Sequence, residues 1–166
     1  MRSYFLFMQD DRIPNAFIPP SLPPRHSFDT LPAISVIDVK VHSNAETVDW
    51  LEQPVNMVTD PMKQIMEKYN RGLRFKRVYY IDREHSFQQQ YWFMDVPKLD
   101  GISGQSEFYP DQRLRRLILD REKVKGHHIF ALESALEPYI FASLETVESL
   151  LRRGLTGFRL SRVECS

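Results

Sequence analysis

The residues whose types suit chemistry are sparse in this chain and badly spaced for it. Ser103 in "GISGQS" invites comparison with a nucleophile elbow, but that motif needs glycine two residues after the serine, where Gln105 stands. Ser103 is expected to be a loop serine. His127 and His128 are adjacent, so in a strand they point to opposite faces and cannot share a metal, and no pair at helical spacing replaces them. His26, His42 and His85 fall in separate loop or strand-edge contexts. The carboxylates match neither a calcium loop nor a paired-acid motif, and Glu133, Glu137, Glu145 and Glu148 are expected to be solvated or dipole-favoured charges. The six glycines are scattered and build no phosphate cradle. No catalytic residue, metal site or cofactor is expected.

Residues suited to binding are better represented. Arg71, Arg74, Lys76, Arg77 and Arg83 form one basic cluster, and Arg113, Arg115, Arg116, Arg121, Lys123 and Lys125 form another. With Tyr79, Tyr80, Tyr91 and Trp92 nearby, such a surface could hold single-stranded nucleic acid, or it could be a set of exposed strand faces balanced by neighbouring acids. Across the chain 22 basic and 22 acidic side chains cancel, which removes the usual electrostatic argument for nucleic acid or an anionic membrane as partner. Tyr, Trp and Arg are the types that dominate protein interfaces, so Arg74, Arg77, Tyr91 and Trp92 are the predicted partner-binding residues.

The elements that must position these residues can be read along the chain. At 166 residues one domain over 1–166 is the default. "SYFLFM" (3–8) predicts a strand, and Asp10 and Asp11 interrupt its apolar run short of signal or membrane-spanning length. A single cysteine, Cys165, excludes an intrachain disulfide and a thiolate zinc cage. Both features fit a cytoplasmic protein. Residues 14–32 accumulate prolines that remove backbone donors, and the interleaved Phe17, Ile18, Leu22, Phe28 and Leu31 predict an extended arm packed on the body.

"AISVIDVKV" (33–41) alternates as a strand does. Thr59 or Asp60 as cap, Pro61 in the first turn, the stripe Met62, Ile65, Met66 and Tyr69, and then Gly72 predict a helix over 60–70. Residues 73–82 and 88–96 predict an antiparallel hairpin, 99–112 a loop, and "RLRRLILD" and "HHIFALE" strands joined by a turn at "REKVKG". In "IFASLETVESLLRRGLTGFRLSRVE" (140–164), Ser143 caps a helix over 144–153 whose face is Leu144, Val147, Leu150 and Leu151, with Arg152 and Arg153 at the dipole-favoured end before Gly154. These elements predict an α+β fold: a largely antiparallel sheet with two main helices packed on it and a proline-rich N-terminal arm.

Residues 53–78 and 137–163 each run proline, short apolar strand, hydroxyl cap, helix, glycine, strand. They form possible repeated modules.

The C-terminal part also resembles a known family. "LILDREKVKGHHIFALES" followed by "PYIFASLETVESLLRRGLTGFRLSRVE" is similar to the end of the immunity-protein eleven family of bacterial polymorphic-toxin systems, including the myxobacterial immunity domain. Leu117 to Asp120, Ile129 to Phe130, Ser143 and Leu155 to Phe158 carry the likeness, which covers about residues 90 to 164. The resemblance implies an inhibitor that binds a cognate toxin effector delivered by neighbouring bacteria, often by a contact-dependent or type VI secretion route. It implies no catalytic residues. A nucleic-acid-binding or regulatory module using the basic strand surfaces is the alternative.

Overall fold

The first apolar run becomes a strand, β1 (Tyr4–Gln9), with Tyr4 and Phe7 buried on opposite sides of one sheet. The computed structural model describes residues 2–22 and 27–166, and Pro23, Pro24 and His26 lie outside the described residues. A short 3-10 turn (Phe28–Thr30) precedes β2 (Ile34–Asp38), β3 (Trp50–Leu51) and β4 (Met57–Val58). Helix α1 (Asp60–Tyr69) leads to the long hairpin β5 (Arg74–Asp82) and β6 (Phe87–Asp95), paired over its whole length. Five short strands follow: β7 (Lys98–Leu99), β8 (Glu107–Phe108), β9 (Leu114–Arg116), β10 (Ile118–Leu119) and, after α2 (Arg121–Val124), β11 (Ile129–Leu132). β12 (Ile140–Ser143), α3 (Leu144–Arg152), β13 (Phe158–Arg162) and β14 (Glu164–Cys165) complete the chain.

The fold is mixed α+β and mostly strand, but it is built on two five-stranded sheets where one was expected, with the two-stranded pairs β8–β9 and β10–β14 beside them. One five-stranded sheet runs β13-β1-β12-β11-β7 and the other β2-β5-β6-β4-β3. Each carries one parallel pair, β11 with β7 and β2 with β5. Parallel neighbours need a long crossover, and the chain supplies one in each case, through β3, β4 and α1 between β2 and β5, and through the loop and α2 between β7 and β11.

Both long helices make the same crossover. α1 carries the chain from β4 to β5 over the intervening antiparallel strand β6, and α3 carries it from β12 to β13 over the intervening antiparallel strand β1. β3 enters antiparallel to β4 as β11 enters antiparallel to β12. The two halves differ in where the middle strand comes from, since β6 follows its own unit and β1 comes from the chain start.

α1 buries Met62, Ile65 and Met66 and α3 buries Val147 and Leu150 in one shared core with Phe7, from β1, and Trp50, from β3. The stripe on α3 departs from expectation. Leu144 and Leu151 remain exposed, and Thr146 turns inward, where its hydroxyl meets that of Ser143 at 3.1 Å. The Ser143 hydroxyl also accepts from the Thr146 amide, which makes it the expected cap. Thr59 precedes α1 but spends its hydroxyl elsewhere: it donates to Asp49 Oδ1 at 2.6 Å, while Asp49 Oδ2 accepts from the Thr156 amide at 2.8 Å. Asp49 thus ties the start of one helical unit to the end of the other. Two local readings also change. "RLRRLILD" divides into β9 and β10, which serve different partners, and "REKVKG" opens as α2, a single helical turn capped by the Asp120 carboxylate.

Candidate protein-binding face

The β5–β6 hairpin sorts the four predicted binding residues by strand alternation. Arg77 and Trp92 are direct cross-strand partners and share a face with Phe75, Tyr79, Gln90 and Met94. Arg74 and Tyr91 alternate to the opposite face, so the predicted set of four does not form one surface.

Tyr91 is fully buried and its hydroxyl donates to the Val48 carbonyl at 2.7 Å. It packs with Phe17 and Tyr80 in a second core, and burial pushes its hydroxyl pKa up. This corrects its assignment as a contact residue, because a side chain with no exposed surface touches no partner. The reason is alternation: in "QQQYWFMDV" Tyr91 turns into the second core, while Trp92 turns to the opposite face and lies half-buried against the first. Arg74 is exposed but already held, by Asp95 at 2.7 Å and Asp29 at 3.0 Å, and its guanidinium lies over the Phe28 ring. Beside it the Lys76 ammonium donates to the Phe28 and Leu31 carbonyls, both at 2.6 Å. These two cations fasten the segment around the 3-10 turn to the sheet.

On the other face two cations lie over the Trp92 ring. The Arg77 guanidinium lies 4.7 Å and the Lys63 ammonium, from α1, 4.6 Å from the ring centre, distances at which the ring quadrupole attracts positive charge. The indole nitrogen donates to Asp60 Oδ1 at 3.1 Å, which fixes the ring against the first turn of α1. Lys63 is balanced by Glu67 at 3.1 Å. Arg77 reaches only as far as the Tyr79 hydroxyl, at 3.4 Å, and its Nε is buried with no hydrogen-bond partner among the described residues. α1 covers the β4 side of this face, and toward β2 it opens, with Ile34 and Val36 exposed at 58% and 64%.

The second basic cluster is largely neutralised. Arg113 meets Asp111 at 2.7 Å, Arg116 meets Glu164 at 2.9 Å, Lys123 meets Asp100 at 3.3 Å, and Arg115 and Lys125 meet Glu107 and Glu122, both at 3.9 Å. Paired cations offer little to a phosphate backbone, which binds by releasing counterions from unpaired charge.

A family model described as Immunity protein family (Imm11) matches residues 7–164. The chain belongs to this immunity protein family. The match extends the likeness seen in residues 90–164 back through the N-terminal half, so strands of both five-stranded sheets of this immunity protein fall within it. Comparison with curated proteins gave no match. The "LTG" of the immunity protein's C-terminal signature has a structural cause: Gly157 has φ +100°, and a Cβ there would stand 2.8 Å from the Trp50 carbonyl oxygen. The glycine lets the turn after α3 close onto the strand of the other unit.

The remaining chemistry-bearing groups of the immunity protein are engaged structurally. Ser103 is buried in its loop and its hydroxyl accepts from the Gln105 amide at 3.2 Å and from the Ser166 hydroxyl at 3.0 Å. His128 Nδ1 meets the Ser143 hydroxyl at 2.7 Å, and burial lowers its pKa. Asp82, Glu84 and His85 bring ligand-type atoms within 4.8 Å of one another, a grouping that sequence spacing did not single out. The Asp82 oxygens, however, already accept from the amides of Val41, Glu84 and His85 and meet His85 Nδ1, which fixes the β5–β6 turn.

A cavity of about 680 Å³ is lined by Arg2, Tyr4, Arg121, Glu122, Lys125 and Glu145. Burial raises Tyr4; for Arg2, burial pulls down but Tyr4 and Glu145 outweigh it and leave the pKa raised. Glu145 is lowered, first by its own backbone amide and then by Arg2. All three move away from neutral pH, opposite to what acid-base catalysis requires. Among the described residues no helix is long and apolar enough to cross a membrane.

Proposed function

We propose that this immunity protein neutralises a cognate antibacterial toxin effector by stoichiometric occlusion, with Trp92 and Arg77 at the contact. The observation that carries this reading is the row of Trp92, Arg77 and Ile34 across β6, β5 and β2, which runs from a half-buried indole with two cations over its ring to the exposed side chains of Ile34 and Val36. Interface energy concentrates in a few fixed aromatic and arginine anchors with apolar surroundings. Here the anchor is fixed before any partner arrives, because Asp60 holds the indole and the hairpin holds Arg77 opposite it, so little side-chain entropy is lost on association.

The protein acts in the cytoplasm of the producing cell as part of a polymorphic toxin system, against an effector delivered by neighbours through a contact-dependent or type VI route. The common crossover of α1 and α3 supports reading 53–78 and 137–163 as two copies of one ancestral unit within a single domain over 1–166. Occlusion needs no reaction and no cofactor, only a surface that outlasts the toxin's encounter with its target.

The test is co-expression with the toxin domain encoded by the adjacent reading frame. A one-to-one complex and restored growth support the reading. Unbound toxin with unrelieved killing overturns it.

A further inference from the structure

The same face ends at an open sheet edge. Among the described residues β2 is the outermost strand of its sheet and pairs on one side only, with β5. The Arg77 amide donates to the Ala33 carbonyl at 3.0 Å and the Val39 amide to the Ile81 carbonyl at 2.9 Å. In a parallel ladder alternate residues address the same neighbour, so Ala33, Ser35, Ile37 and Val39 turn their peptide groups toward β5, while Ile34, Val36 and Asp38 turn theirs outward. Folded proteins normally protect such an edge with charge, proline or a covering loop. Here the outward residues include two branched apolar side chains that are more than half exposed. Ile34 is in register with Arg77, and Arg77 with Trp92, so the three form one row across three strands.

We propose that the toxin docks by adding an extended segment to the β2 edge, pairing its backbone with Ile34, Val36 and Asp38. This rests on the toxin-binding reading above and specifies how the contact is made. The segment carries apolar side chains at alternate positions, over Ile34 and Val36, and a carboxylate that reaches the Arg77 guanidinium. That carboxylate pairs with the terminal nitrogens of the guanidinium, whose one hydrogen bond among the described residues is the long contact with the Tyr79 hydroxyl at 3.4 Å. A second copy of β2 satisfies these demands less well. Antiparallel pairing centred on Val36 brings the copy's Asp38 into the Ile34–Arg77 row but leaves Ile34 without an apolar side chain over it, and pairing centred on Ser35 sets Ile34 against Val36 and brings no acid to Arg77.

Val36→Pro tests the edge. It removes an amide that points outward and leaves the inward bonds of β2 to β5 in place, and edge strands tolerate proline. Val36→Thr keeps that amide and serves as the control. Binding is measured calorimetrically against the toxin domain from the adjacent reading frame, with amide hydrogen exchange on the wild-type complex. The expected result is slowed exchange at Val36 and Asp38 in the complex, affinity weakened at least about tenfold by Val36→Pro, roughly 1.4 kcal/mol, and no comparable loss with Val36→Thr. Tight wild-type binding with unchanged exchange at Val36 and Asp38 overturns edge addition and leaves the immunity reading standing, even if Val36→Pro fails to fold. A free chain that is dimeric and is dissociated by Val36→Pro gives the edge to a second copy and also overturns the proposal. No binding by the wild type overturns the immunity reading, and edge addition falls with it.

Discussion

Arg77 and Trp92 face each other across the β5–β6 ladder, with the guanidinium 4.7 Å from the centre of the indole ring. The arrangement is costly to the folded chain, because the Arg77 Nε is buried with no hydrogen-bond partner among the described residues. Arg77→Met keeps the stem over the ring and deletes the unpaired donor. Fold stability should hold or rise, since an unsatisfied buried donor costs about 1–3 kcal/mol, while the dissociation constant for the toxin should rise about tenfold or more. Urea unfolding and calorimetric titration read the two quantities separately. A fall in stability with unchanged affinity contradicts the account.

Tyr91 predicts the reverse pattern. Tyr91→Phe leaves the Val48 carbonyl without its buried donor and should cost about 1–2 kcal/mol of stability. Toxin affinity should not change, because the ring lies inside the second core. An affinity loss larger than the stability loss would return Tyr91 to the contact surface.

Neighbouring residues of one strand therefore take opposite roles, and this sets how much of the site was legible in the sequence. Composition identified the aromatic and basic types in 74–92, but assigning a face requires the strand register, and "QQQYW" has aromatics on both parities. Helices α1 and α3 were legible because Pro61, Ser143 and the spacing of Met62, Ile65, Met66, Val147 and Leu150 are local signals. The two-sheet arrangement was not. β1 pairs with β12 and β13, over 130 residues away, and the two-residue strands β3, β4, β7, β8, β10 and β14 are too short to show a period. The exposed edge of β2 was hidden for a related reason, as its alternation of Ile34, Val36 and Ile37 resembles that of any half-buried strand until the neighbours are known.

Glycines 154 and 157 separate backbone conformation from close approach. Both have positive φ, +67° and +100°, but a Cβ at Gly154 meets nothing within 4 Å, whereas at Gly157 it meets Trp50 and Val48 at under 3 Å. Gly154→Ala should cost about 1 kcal/mol for the left-handed conformation. Gly157→Ala adds overpacking of about 1–3 kcal/mol and should displace the turn that Asp49 holds at Thr156. Chemical denaturation of the two variants checks the order, and equal losses would contradict it.

Asp82 makes stability depend on acid. The Val41 amide, then His85, hold its pKa below the ordinary carboxylate value. A depressed native pKa means stabilisation that is complete above the unfolded value of about 3.9 and is lost as pH falls through the native one. The stability gap between wild type and Asp82→Asn should therefore stand in full at about pH 5 and close as pH falls below about 4. A gap that widens below about pH 4 would have the wrong sign.

The central claim is that the protein neutralises its toxin by remaining bound to it. Titrating the activity of a fixed amount of the adjacent-frame toxin domain with purified immunity protein tests this directly. The account predicts a linear fall to complete inhibition at one equivalent and intact toxin afterwards. Complete inhibition far below one equivalent, with toxin or its substrate chemically altered, would contradict it.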